Sequence, residues 1–367
     1  MSDFIKNRAR PEIFTLKPYI PGKPIEEVRR ELGLDDIIKL ASNENPLGPS
    51  PLAMEAIAAA LPDLSMYPDA NCYLLKHKLA ATLGVDVAEI LVGNGSDEIL
   101  MLLATAFLNR GDRVIYGTPT FSEYESTAKI MGAECLEIPL VDFTYGLEAM
   151  LGAVDERTKM VYICNPNNPT GTIVTRQAIQ RFMDQVPDEV LVVFDEAYSE
   201  YVESPEFISG YRYVKEGHNA IVLRTLSKIY GLAGLRIGYA LTTSEIAAAV
   251  EMITAPFNIN SLAQVGARAA LDDKGHLHRS LELNRQGKQY LYQSFDKMGL
   301  FYVPTEANFI FLDTGCDCRV VFQSLLTQGV IIRTGDVFGY PRFIRVTIGT
   351  AEQNRRFIES LAQVLGK

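Results

Sequence analysis

The chain has 367 residues, 47% of them hydrophobic, enough for a substantial core and for one large domain with a smaller companion. Its 45 acidic residues outnumber 35 basic ones, the formal net charge is −10, and no long basic run occurs, which argues against nucleic acid and anionic membranes as partners. No apolar stretch approaches a membrane span and residues Met1 to Arg10 lack the apolar core of a secretory signal, so a cytoplasmic location is expected. The five cysteines form no C-x-x-C pair, and Cys316 and Cys318 sit too close for a zinc knuckle, so reduced thiols and no metal site are expected. His276 and His278 fall in a polar helical stretch and are expected to face solvent.

In chain order, a proline-rich arm (residues 1–39) comes first, with an extended stretch at Leu16-Lys17-Pro18-Tyr19-Ile20-Pro21-Gly22-Lys23-Pro24 and a turn at Pro21-Gly22. From about Asp86 to Thr242, short apolar runs alternate with helix-length segments. The predicted strands are Ile90–Val92, Arg113–Tyr116, Glu134–Ile138, Met160–Cys164, Val190–Phe194, Ile221–Leu223 and Ile237–Leu241. Helices are predicted at Asp97–Phe107 and Gln177–Gln185. This is the pattern of an α/β domain (residues 40–260) with a mostly parallel seven-stranded sheet covered on both faces. Long helical segments follow at Ser244–Met252 and Leu262–Lys297, then strands at Asn308–Leu312 and Phe343–Ile348 and a helix at Gln353–Leu365. Those after residue 260 read as a smaller α+β domain (residues 261–367).

Several predicted strands end in groups that carry chemistry, where α/β sheets bind ligands. Val92-Gly93-Asn94-Gly95-Ser96-Asp97-Glu98 closes one strand and opens a helix, whose N-terminus favours an anion. A plain N-cap at Ser96 is the simpler alternative. In Asn165-Pro166-Asn167-Asn168-Pro169-Thr170-Gly171, prolines and a glycine fix a tight loop that presents Asn amides at its rim. Asp195-Glu196-Ala197-Tyr198 places a carboxylate at the end of a buried strand, which is costly unless it meets a cation. A helix-capping Asp beside a core Tyr is the alternative there. Finally, Thr225-Leu226-Ser227-Lys228-Ile229-Tyr230-Gly231-Leu232-Ala233-Gly234-Leu235-Arg236 joins a lysine, two hydroxyls, glycines and an arginine. That mix suits an amine forming a Schiff base beside a bound phosphate. The glycines would let the backbone bend closely around the ligand. A lone lysine is usually a surface residue; the company of the other groups argues otherwise.

Together these groups resemble the fold-type I aminotransferases, which use pyridoxal 5'-phosphate (PLP), with the S-K-x-x-x-L-x-G-x-R-x-G pattern around Lys228 the most specific part. The resemblance implies that Lys228 forms the Schiff base with the cofactor and acts as the base, and that Asp195 pairs with the ring nitrogen. It implies that Tyr198 and Asn168 hydrogen-bond the phenolic oxygen and that Phe121 stacks on the ring. Ser96, the backbone of Asp97, Thr225, Ser227 and Arg236 would hold the phosphate. Arg345, a guanidinium within the apolar Phe343-Ile344-Arg345-Val346, needs an anionic partner. By resemblance it receives the substrate carboxylate, with an internal salt bridge to Asp or Glu as the alternative. Arg333 is a second cation that could reach the same cavity.

The arm around Tyr19, Leu40-Ala41-Ser42-Asn43-Glu44-Asn45-Pro46 and Tyr67-Pro68-Asp69 are similar to the histidinol-phosphate aminotransferase family. That likeness implies an arm packed with the small domain and beside the active site, and a homodimer in which Tyr67 reaches the neighbouring subunit's PLP phosphate. Tyr19, Arg333 and Arg345 would bind the substrate phosphate. The implied reaction, a step of histidine biosynthesis, moves an amino group between L-histidinol phosphate and 2-oxoglutarate, giving imidazole acetol phosphate and glutamate. An aromatic amino-acid aminotransferase, a phosphothreonine decarboxylase and a non-catalytic PLP-binding regulator are the rival readings. Such regulators usually carry a fused DNA-binding domain, which is not expected among these 367 residues, and the acidic charge argues against the last reading.

Overall fold

The computed structural model describes residues 2–16, 18 and 22–367. A seven-stranded sheet is built from Ile90–Gly93, Gly238–Thr242, Ala220–Thr225, Leu191–Asp195, Thr158–Cys164, Arg113–Thr118 and Glu134–Pro139, in that spatial order. Gly238–Thr242 runs antiparallel to both neighbours; every other pairing is parallel. The central strands are buried on both faces: Val192, Val193, Phe194, Ile221, Val222 and Leu223 are all shielded from solvent. This explains why they read as unbroken apolar runs rather than alternating ones. All seven sequence-predicted strands are present, shifted at their ends by one or two residues.

A second sheet, of four antiparallel strands, comprises Arg333–Thr334, Phe343–Thr347, Phe309–Asp313 and Phe301–Val303 in spatial order. Its own core includes Ile310, Leu312, Ile344, Val346 and Phe357. The amino-terminal segment joins this unit: Ile38–Lys39 pairs in parallel with Val330–Ile331, and Val28 is buried against Ala41, Leu326 and Ile331. Earlier in the arm, Glu12 pairs with Arg110 of the larger unit.

The predicted helix Leu262–Lys297 is two helices, Ser261–Ala270 and Lys274–Lys297. Asp273 breaks it by accepting a hydrogen bond from His276 N at 2.8 Å, an N-cap that restarts the second helix. Ala263 and Ala267 of the first piece pack into the larger core. His278 is exposed as expected, but His276 is buried, because its helix face packs inward. Helices Pro51–Ala60 and Tyr73–Leu83 carry no clear period in sequence and were not expected.

Candidate active site

Strand geometry sets the site. Cys164, Asp195 and Leu223 are neighbours across three parallel strands. Asp195 is the last residue of its strand, and the chain then turns away, leaving a crevice at the carboxyl end of the sheet. A cavity of about 490 Å³ opens there. It is lined by Ser96, Asp97, Phe121, Asn168, Asp195 and Tyr198, and by Thr225, Ser227, Lys228, Arg236, Arg333 and Arg345. Residues from six separate stretches of sequence thus meet in one space. Tyr67 does not line it; 83% exposed, it stacks on Phe257 at 4.8 Å. Tyr19 lies outside the described residues.

At one side the helix Ser96–Phe107 begins. Its N-cap is Gly95, which has no capping side chain, so Ser96 is the first helical residue rather than the cap. Gly95 has φ +82°, and a Cβ there would stand 2.6 Å from Arg236 Nη2. Only glycine lets that guanidinium lie against the loop. Arg236 also pairs with Asp97 at 2.9 Å. Thr225 and Ser227 are buried beside them, with Ser227 N donating to Thr225 Oγ1 at 3.1 Å. Gly231 and Gly234 do not line the cavity. Gly231, at φ +69°, instead lets its backbone meet Gly48, where a Cβ would lie 2.2 Å from the carbonyl oxygen.

Of the three asparagines in the 165–171 loop only Asn168 lines the cavity. Asn165 Oδ1 accepts from Val174 N, and Asn167 ties Pro119, Thr120 and Thr170 together, so these two build the loop rather than its rim. Asn168 Oδ1 accepts from Arg345 Nη1, leaving Nδ2 as the donating end of that amide. Arg345 Nη2 donates to the Ala41 carbonyl at 2.7 Å, and the guanidinium lies 5.3 Å from the Phe309 ring and 5.7 Å from the Phe338 ring. Arg333 stands directly opposite Arg345 in the antiparallel ladder. A second cavity, of about 460 Å³, shares Phe121, Asn168, Arg333 and Arg345 with the first, and Thr15, Leu16 and Pro18 of the arm border it.

Sequence reasoning gave no role to Asn43 and did not find Tyr124. Asn43 Nδ2 donates to Tyr198 Oη at 3.0 Å, while its backbone is held by Thr347 and Asn308. Tyr124 Oη donates to Asp195 Oδ2 at 2.6 Å. The only local hint for Tyr124 was its place three residues after Phe121; for Asn43 there was none beyond its motif-like segment.

Burial dominates the electrostatics. It pushes the Asp195 carboxyl up to about 6, against the opposing hydrogen bonds from Tyr124 and Ala197 N. It lowers the Lys228 amine to about 8, helped by the nearby Arg345 charge. Lys228 Nζ donates to the Ser42 carbonyl at 3.3 Å. A buried acid wants a cation, a buried amine is poised to be neutral, and the glycine-backed helix start wants an anion. A flat cationic ring bearing an aldehyde and a phosphate meets all three demands, so the residues fit PLP. Among the described residues no cluster able to hold a metal ion occurs, and no helix is long and apolar enough to cross a membrane.

The aminotransferase class I and II family matches residues 35–361. A histidinol-phosphate aminotransferase of Moorella thermoacetica is 54% identical, over 98% of this chain and 93% of that protein. One of Caldicellulosiruptor saccharolyticus is 49% identical, over 97% and 99%. Among solved structures, histidinol-phosphate aminotransferase from Sinorhizobium meliloti in complex with pyridoxal-5'-phosphate is similar with a TM-score of 0.91 and 28% identity, over 98% of each chain. The chain belongs to the class I and II aminotransferases, PLP-dependent enzymes of fold type I, and within them to the histidinol-phosphate aminotransferase family.

Proposed function

We propose that this chain catalyses reversible amino transfer between L-histidinol phosphate and 2-oxoglutarate, giving imidazole acetol phosphate and glutamate, in the cytoplasm. The observation that carries this reading is the Arg333–Arg345 pair, one rung of a ladder lining both cavities. Two planar forks suit the phosphate of one substrate and the carboxylates of the other.

When bound, PLP supplies an electron sink for the substrate α-carbon. The roles assigned to the residues follow their positions. Lys228 Nζ holds the cofactor and then takes up and releases the α-proton, a task favoured by its lowered affinity for protons. Asp195 meets the ring nitrogen, Phe121 covers the ring face, and Tyr198 and Asn168 Nδ2 face the phenolic oxygen. Ser96, the Asp97 N–H, Thr225, Ser227 and Arg236 hold the phosphate. Borohydride reduction followed by peptide mapping should label Lys228 alone; a label on another lysine refutes this assignment.

Tyr67 is assigned to the neighbouring subunit's phosphate site in a homodimer. Leu61, Leu64, Met66 and Tyr67 are all exposed, an apolar run that a second copy would cover. Sedimentation should give twice the chain mass. The arm (1–39), large domain (40–260) and small domain (261–367) are proposed as the working parts, with helix Ser261–Ala270 following the large one in its packing.

The decisive experiment compares kcat/KM for histidinol phosphate, phenylalanine and tyrosine. Histidinol phosphate should be preferred, and a preference for the aromatic acids would reject the subtype while keeping the cofactor chemistry. Release of CO₂ from O-phosphothreonine would favour the decarboxylase instead.

A further inference from the structure

We propose that Tyr124 is a positioning residue for Asp195, its hydroxyl fixing the carboxylate that faces the cofactor ring nitrogen. This rests on the assignment of Asp195 to that nitrogen. The Tyr124 side chain is fully buried, and its ring stacks on Tyr162 with centroids 4.7 Å apart and planes at 8°. It meets Phe121 edge-on at 5.8 Å and 82°. Held on both sides, the phenol has little freedom, and its oxygen lies 2.6 Å from Asp195 Oδ2. Asp195 Oδ1 accepts from Ala197 N at 3.1 Å. With a donor on each oxygen the carboxylate plane is set, and both bonds favour the ionised form against the cost of burial. Tyr124 also touches Phe121, the expected cover of the ring. One side chain therefore couples the residue on the ring's face to the acid at its nitrogen.

The test uses full-length protein stripped of cofactor and titrated with PLP and with its carbocyclic 1-deaza analogue, which has CH in place of the ring nitrogen. Tyr124→Phe keeps both ring contacts and deletes only the hydroxyl. It should weaken PLP about tenfold, the worth of one hydrogen bond to a charged group, and leave the analogue within about twofold. Equal losses for both ligands, or none for either, overturn the proposal, since neither pattern involves the ring nitrogen. Tyr162→Phe removes a neighbouring buried hydroxyl that donates to Met160 Sδ rather than to Asp195. It should change neither affinity; a loss matching that of Tyr124→Phe would assign the effect to packing and sink the idea. Asp195→Asn separates the two levels of inference. If it abolishes the preference for PLP over the analogue while Tyr124→Phe does not weaken PLP, only the role of Tyr124 fails. If Asp195→Asn keeps that preference, the placement of Asp195 fails, and the proposal falls with it.

Discussion

The proposed cofactor end and the proposed substrate end of the cavity are built in different ways. At the cofactor end each group sits at or just beyond a strand of one sheet: Asp195 ends its strand, Thr225 ends the next, and Ser96 opens the helix after a third. The substrate end is assembled across the chain. Arg345 reaches Asn168 and Ala41, 177 and 304 residues away, and Asn43 is tied to Thr347 across the same 304. One end comes with the fold of a single sheet; the other exists only when the small unit, the arm and the large unit meet. Cofactor binding and substrate binding should therefore be separable by mutation.

The harshest probe of that separation is Lys228→Ala. Turnover should fall by about three orders of magnitude or more, from loss of both nucleophile and base, while PLP still co-purifies without a covalent link. Steady-state assays and absorbance after dialysis check both halves; normal turnover would break the scheme. Next, Arg345→Leu should lower kcat/KM for histidinol phosphate and 2-oxoglutarate together, by about 10- to 100-fold, with PLP affinity little changed. A comparable loss of PLP affinity would mean that the two ends are not independent. Conversely, Gly95→Ala forces a Cβ against Arg236 at positive φ and should weaken PLP about tenfold by equilibrium titration, with substrate KM in the saturated enzyme nearly unchanged.

The smallest effect expected is electrostatic and joins the two ends. Burial, aided by Arg345, brings the Lys228 amine down to about 8. The neutral amine is the nucleophile, so covalent uptake of PLP by cofactor-free protein should speed up as pH rises and level off above about 8 rather than 10. Removing the Arg345 charge takes away a cation that disfavours the protonated amine, so the midpoint in Arg345→Leu should move upward. Rates followed by absorbance across the pH range read both. A midpoint unchanged by the substitution would leave burial and the Arg236 charge as the causes.

This contrast also explains what could be read in the sequence. Lys228, Asp195, Asn168 and Ser96 sit in compact motifs next to apolar strands, so local pattern and strand-end logic were enough to place them in one crevice. Asn165 and Asn167 share Asn168's motif but serve the loop, because residue type alone does not say which amide turns inward. Gly231 similarly answers to Gly48 rather than to a ligand. Asn43 and Tyr124 touch the site through partners 155 and 71 residues away, separations that no window of sequence reveals. The break at Asp273 was missed because a helix-compatible pattern runs through it; the N-cap bond to His276 decides the matter in three dimensions.

On the proposed reading, the opposed placement of Arg333 and Arg345 ties substrate choice to chain length. Side chains alternate faces along a strand, so slipping the pairing by a single residue would turn one guanidinium to the far side of the small sheet. The segment 335–342 joining the two strands is therefore constrained in length, and in composition chiefly at Gly335, where a Cβ would lie 2.4 Å from the Phe343 carbonyl oxygen, and at Phe338, whose ring lies 5.7 Å from the Arg345 guanidinium. Over evolution, insertions there should be rarer than substitutions, and a one-residue deletion should cost anion recognition before it costs folding.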